Sequence, residues 1–228
     1  MNLKSFGCSF IFGTELSDDV SDCMLDWSEN GKWIRPSELT WPALLAQNFG
    51  YDYQSRALPG IGNLQILETI LTEIPKCNQD DVFVIQWTWI DRLDYENINR
   101  TNRDNFWNTM LPGDTDKNSQ WYYKNIHSEY RDKLSSLIYI KTAIDTLQEK
   151  NIKFIMANLD DLIFDQTWHC NGAIEYLQNY VQPHITYFEG LNFLKWAKQK
   201  GFPVSETLHP LEAAHQAGFE LIKSYNLV

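Results

Sequence analysis

Residues Asp81–Thr88 (DVFVIQWT) form an almost unbroken apolar run of strand length. Without polar alternation, such a strand needs apolar cover on both faces, which a parallel sheet between helices provides. Ile152–Ala157 (IKFIMA) is a second run of this kind, and Asn2–Phe6 and Tyr51–Arg56 read as shorter strands. Helical patterns separate them. One spans 37–49, with Ser37 or Thr40 to cap it, Pro42 in the first turn, Leu44, Leu45 and Phe49 inward, and Gly50 at its end. Asn63 can cap a second helix running to about Ile74, and further helices are expected over 130–150, 191–199 and 210–225. Residues 89–129 are polar and aromatic and too long for a plain connection, so they are expected to be an insertion or lid. Residues 159–189 show no clear pattern. Alternation of strands and helices along the whole chain predicts an α/β fold with a mostly parallel sheet, and one domain over 1–228 is the simplest reading.

The formal charge is −11, and no basic run offsets it. A surface of that sign repels phosphate backbones, so nucleic acid is not expected as a partner. Cys8, Cys23, Cys77 and Cys170 are widely spaced, with no CxxC pair, so they suggest neither a zinc knuckle nor a disulfide framework. No run of about 18 apolar residues exists to cross a membrane. The N-terminal MNLKSFGCSF lacks the layout of a signal peptide, so cytoplasmic synthesis is expected, with a final place in a virion left open. Oligomeric state is not legible.

In open α/β sheets ligands bind beyond the carboxyl ends of the strands. Gly7-Cys8-Ser9 follows the first strand directly. A glycine there permits a sharp turn, and a loop entering a helix offers free N–H groups that can stabilise an oxyanion. A serine hydroxyl needs a nearby base to act as a nucleophile, and the chain offers His127, His169, His184, His209 and His215. His215, within the last helical pattern, reads as a packing or surface residue. Asp160, Asp161, Asp165 and His169 raise the question of a metal, with Asp165 and His169 at helical i, i+4 spacing. Two ligands do not close a site, so a solvated acidic loop and no metal is the reading.

Four segments, taken in order, resemble the SGNH (GDSL-like) hydrolases. Gly7-Cys8-Ser9-Phe10-Ile11-Phe12-Gly13 is similar to the first block of that family, G-D-S-x-x-x-G. Leu58-Pro59-Gly60-Ile61-Gly62-Asn63 is similar to the second, Gln86-Trp87-Thr88-Trp89 stands at the third (G-x-N-D), and Glu206-Thr207-Leu208-His209 resembles the final D-x-x-H. The resemblance implies a three-layer α/β/α fold with a flavodoxin-like sheet and no cofactor. It implies Ser9 as nucleophile, His209 as base and Glu206 as the carboxylate that orients it. The oxyanion donors it implies are the backbone N–H groups of Ser9 and Gly60 and a side chain from Thr88 or Asn63. Cys8 and Glu206 replace aspartates, and the third block lacks its asparagine. Third blocks containing Trp-Thr occur in SGNH-like proteins of phages, which suggests a phage-encoded member.

These residues imply hydrolysis of carboxyl esters, with O-acetyl groups on a glycan as one substrate class, since the nine Trp include several in the 89–129 segment. Two alternatives stand beside this: a retired scaffold serving as a binding or virion protein, and a phosphodiesterase or metal-dependent hydrolase of another α/β class.

Overall fold

The computed structural model describes residues 1–18, 35–98 and 107–227. Cys23 and the 99–106 portion of the expected insertion lie outside the described residues.

Four strands form a wholly parallel sheet: β1 (Asn2–Phe6), β2 (Asp52–Ser55), β3 (Val82–Trp87) and β6 (Lys153–Asn158), in the order β2-β1-β3-β6. All six residues of β3 are buried, which is why its apolar run could be read as a two-sided strand. A parallel bridge from Met156 to Ile185 continues the sheet beyond β6, with Thr186 N–H donating to the Met156 carbonyl at 2.6 Å. This segment occupies the fifth position of the flavodoxin-like order 2-1-3-4-5.

Successive residues of β1 show how the sheet is covered, because they face opposite sides. Lys4 reaches Glu73 at the end of α3 (Asn63–Glu73). Ser5 instead shares a 2.9 Å hydrogen bond with the Tyr53 hydroxyl, which lies 3.4 Å from Thr40 Oγ1 at the start of α2 (Trp41–Phe49). Helices α3 and α2 therefore lie on opposite faces. The α3 helix packs on α5 (Glu129–Glu149), α5 on α6 (Gly172–Val181), and α2 on α8 (Glu212–Ser224). Two short helices, α1 (Ser9–Phe12) and α7 (Phe193–Gln199), complete this core.

Local chemistry explains where the elements depart from sequence expectation. The α2 helix starts at Trp41 rather than near Ser37, because Ser37 Oγ accepts from Leu39 N–H and donates to Asp18 instead of capping. Leu44 and Phe49 are only partly covered, and the inner face is Trp41, Ala43, Leu45 and Ala46. Gly50 ends this helix with φ +68°, the left-handed conformation in which glycine carries no Cβ penalty. Gly62, not Asn63, holds the N-cap position of α3. Residues 89–129 contain an antiparallel hairpin, β4 (Leu93–Glu96) with β5 (Trp107–Met110), and α4 (Lys117–Asn125), capped by Asp116. Within 159–189, Asn171 Oδ1 accepts from Ala173 and Ile174 N–H and starts α6. Among the described residues, no helix is long and apolar enough to cross a membrane.

Glu73 joins β1 to α3 through three cations. Lys4 Nζ lies at 3.0 Å, Lys76 Nζ at 2.9 Å and Arg56 Nε at 3.3 Å from its carboxylate. Burial alone would raise its pKa, but these cations hold it at about 2. A folded-state pKa below the unfolded one stabilises the fold above the unfolded value, and that stabilisation is lost as pH falls through the folded value. Urea unfolding should therefore show a stability loss between pH 4.5 and about 2 that Glu73→Gln makes shallower. Equal slopes would contradict the assignment. At neutral pH the same substitution should cost about 3–5 kcal/mol, because Lys4 is left buried without a counter-charge.

Candidate active site

The order β2-β1-β3 places the carboxyl ends of β1 and β3 side by side at the point where connections diverge to opposite halves of the sheet. The chain leaves β1 through Gly7. A Cβ there would lie 2.9 Å from the Gln86 carbonyl oxygen and from Ile11, so only glycine permits so close a turn. Cys8, fully buried, holds the N-cap position of α1, and Ser9 is the first residue of the helix. As first-turn residues, Ser9 and Phe10 have N–H groups with no intrahelical acceptor. Gly13 ends α1 at φ +85°; Ser37 and Thr40 crowd it so closely that a Cβ would meet Ser37 Cβ at 2.4 Å.

His209 arrives from the other end of the chain. It lies on a turn closed by Ser205 N–H to the His209 carbonyl (2.9 Å), Leu208 N–H to the Ser205 carbonyl (3.1 Å) and His209 N–H to Ser205 Oγ (3.0 Å). Beyond it, Val204 and Pro210 bridge antiparallel before α8 begins. The imidazole stands 5.1 Å, centroid to centroid, from the Phe10 ring. Its Nε2 lies 2.8 Å from Ser9 Oγ.

The carboxylate on the far side of the imidazole is Glu15, with Oε2 2.6 Å from His209 Nδ1. Glu206, expected there from sequence, is exposed, and no hydrogen bond joins it to His209 among the described residues. The turn 205–209 explains the correction: pairing Ser205 with His209 leaves residues 206–208 at its solvent-facing tip. Glu15 instead follows α1 directly, in the left-handed conformation at φ +69°. Ser205 Oγ (2.5 Å) and Thr207 Oγ1 also donate to its carboxylate. Burial works to raise the Glu15 pKa, but these hydroxyls and His209 hold it below the usual range, so the group is ionised at neutral pH. An ionised carboxylate only accepts hydrogen bonds. The His209 proton therefore sits on Nδ1, which leaves Nε2 to accept from Ser9.

The expected oxyanion donors separate. Gly60 lies on the half-exposed loop before α3 at φ +79°. Asn63 is committed elsewhere: Nδ2 donates to the Thr88 carbonyl (3.3 Å) and Ser136 Oγ (3.2 Å), and Oδ1 accepts from Thr88 N–H (2.9 Å). This corrects its expected place among the donors, since both amide protons are used. The Thr88 hydroxyl is buried, with no hydrogen-bond partner among the described residues.

His215 is buried in α8, where its Nδ1 accepts from Trp41 N–H at 3.1 Å and its ring packs 4.9 Å from Phe193. Burial pushes its pKa down to about 3, so it remains neutral and ties α8 to α2. Around the questioned metal loop, Asp160 accepts from Ile90 and Leu162 N–H, Asp161 pairs with Lys195, Asp165 accepts from Thr167, and His169 contacts Glu129. Asp165 and His169 do not share a helix.

These positions predict a spectroscopic signature. Proton NMR should show a strongly downfield His209 Nδ1–H resonance that Glu15→Gln shifts upfield and Glu206→Gln leaves in place. The reverse pattern would contradict the pairing.

No family model matches the chain, and no curated protein matches it. Solved structures do. A lipolytic G-D-S-L family member from Veillonella parvula aligns with TM-score 0.52 at 12% identity, covering 98% of this chain and 97% of that one. The psychrotrophic esterase EstA from Pseudoalteromonas, inhibited by monoethylphosphonate, aligns with TM-score 0.51 at 9% identity, covering 98% and 94%. A carbohydrate esterase family 2 enzyme from Corynascus thermopiles, which carries an additional carbohydrate-binding domain, aligns with TM-score 0.50 at 14% identity, covering 98% of this chain and 64% of that one. The chain has the SGNH (GDSL-like) hydrolase fold.

Proposed function

We propose that this protein hydrolyses carboxyl esters with Ser9 as nucleophile, and that its substrates are acyl esters of a glycan. The observation that carries the reading is the relay from Ser9 Oγ to His209 Nε2 at 2.8 Å and from His209 Nδ1 to Glu15 at 2.6 Å. As Ser9 Oγ bonds to the ester carbonyl carbon, its proton passes to Nε2, and the imidazolium formed is stabilised by Glu15. The N–H groups of Ser9 and Gly60 hold the oxyanion of the tetrahedral intermediate, while the buried Thr88 hydroxyl is out of its reach. Collapse breaks the bond to the alkoxy oxygen, which takes the Nε2 proton and leaves as the alcohol. Water then attacks the acyl-enzyme, giving its proton to Nε2, and the second collapse releases the carboxylic acid and restores Ser9.

The glycan reading rests on Trp89. Its ring meets Phe10 edge-on at 5.5 Å, one residue from Ser9. It also borders a cavity of about 340 Å³ lined further by Leu159, Asp160, Asn192, Leu194 and Lys195. An aromatic face with carboxylate and amide groups around it suits a sugar ring, whose C–H face stacks while its hydroxyls hydrogen-bond. The carbohydrate esterase of the same fold supports this choice of substrate class.

Turnover of p-nitrophenyl acetate should fall at least about 10³-fold in Ser9→Ala and in His209→Ala, and about 10²–10⁴-fold in Glu15→Gln, with Glu206→Gln near wild type. Rates equal to wild type in Ser9→Ala would refute the reading. For the substrate class, Trp89→Ala should raise KM for an acetylated oligosaccharide several-fold and leave KM for p-nitrophenyl acetate within about twofold. An unchanged oligosaccharide KM would remove the glycan assignment.

A further inference from the structure

The peptide bond between Ile61 and Gly62, just beyond Gly60, is gripped at both polar ends by the segment that follows β3. Arg92 Nη1 donates to the Ile61 carbonyl at 2.9 Å. On the other side, the Gly62 N–H donates to Asp94 Oδ1 at 2.9 Å. Asp94 is 7% exposed and also accepts from Gln65 N–H (3.0 Å), Gln65 Nε2 (2.8 Å) and Thr109 Oγ1 of β5 (2.7 Å). It therefore does from outside what an N-cap side chain does from within: it receives first-turn N–H groups of α3. The approach is so close that a Cβ on Gly62 would sit 2.6 Å from Asp94 Oδ2.

Arg92 is held from a second direction. Its guanidinium carbon lies 4.8 Å from the centroid of the Trp89 ring, and Trp89 packs on Phe10. Among the described residues it forms no ion pair. Its contacts are with the Ile61 carbonyl and the Trp89 ring, so Arg92 links the Gly60 loop to the ring that packs on the Ser9 helix.

We infer that the β4–β5 hairpin is a clamp that fixes the Gly60 loop relative to Ser9, with Arg92 and Asp94 as its positioning residues. This rests on the proposed ester hydrolysis, in which Gly60 N–H is an oxyanion donor. A donor helps only where the oxyanion forms, and misplacement by about 1 Å can cost about 10²-fold in rate. The segment expected to be a lid is then a buttress. The clamp acts through the backbone of the Gly60 loop, separately from the contact Trp89 makes with substrate.

The test compares Arg92→Met, Arg92→Lys and Asp94→Asn with wild type in p-nitrophenyl acetate hydrolysis, with thermal melting to establish folding. Arg92→Met keeps the side chain on Trp89 and removes the donor to Ile61. The clamp predicts that kcat falls about 10–10²-fold with KM within about threefold. Arg92→Lys, which keeps one donor, should recover part of kcat. A structural role alone would lower the amount of folded enzyme and its melting temperature while leaving kcat per folded molecule unchanged. A folded Arg92→Met enzyme with wild-type kcat overturns the clamp and leaves Ser9-dependent hydrolysis standing. Should the methionine variant fail to fold, Arg92→Lys decides in the same way, a reduced kcat at unchanged KM supporting the clamp and a wild-type kcat overturning it. Absence of Ser9-dependent turnover in wild type overturns the ester reading and the clamp together.

Discussion

The hydrogen bond between Ser9 Oγ and His209 Nε2 joins residues 200 positions apart, and most of the architecture serves to bring them together. Closing so long a loop is entropically unfavourable, and no disulfide or metal offsets that among the described residues. Packing does. Strand β1 lies inside the sheet with β2 and β3 as neighbours, so the turn after it is anchored on both sides. At the other end, α8 packs on α2, and His215 of α8 accepts a hydrogen bond from the first N–H of α2. The helix that follows His209 is thereby tied to the helix that covers β1. The meeting is a consequence of core packing.

Strain accompanies this arrangement at two points. Glu15 and Leu208, one in the relay and one next to His209, both have φ near +70° without being glycine. Such conformations cost about 1–3 kcal/mol each and persist where surrounding contacts over-determine them. Glu15 is over-determined by Ser205, Thr207 and His209, so the turn at the end of the chain and the turn after α1 hold each other in place. The charge of Glu15 and the geometry of His209 are therefore one feature, assembled from both termini.

The parallel strands were legible because two-sided burial leaves an apolar run, as in β3. Ser9 and His209 stood out because each falls in a block that resembles the SGNH family, Gly7-Cys8-Ser9 directly after a strand and Glu206-Thr207-Leu208-His209 shortly before the last amphipathic helix. Glu15 did not. Nothing in the spacing of Gly13-Thr14-Glu15 marks a carboxylate that meets a histidine through space, whereas Glu206 had a familiar separation from His209. Sequence separation fixed that expectation, and the backbone pairing of Ser205 with His209 undid it. The β4–β5 hairpin was illegible for a different reason. LDYE is too short for its alternation to stand out and buries its aspartate rather than its apolar residues, and WNTM does not alternate at all. Asn63 likewise looked available in sequence because its partners, Thr88 and Ser136, are distant in the chain.

On the proposed mechanism, His209, oriented by Glu15, makes the Ser9 hydroxyl a nucleophile. Treating the intact protein with a fluorophosphonate and mapping the adduct by mass spectrometry tests it without any assumption about substrate. One adduct is expected, on Ser9, abolished in His209→Ala and strongly slowed in Glu15→Gln. Failure of Ser9 to label, or labelling that proceeds equally well without the imidazole, would contradict it.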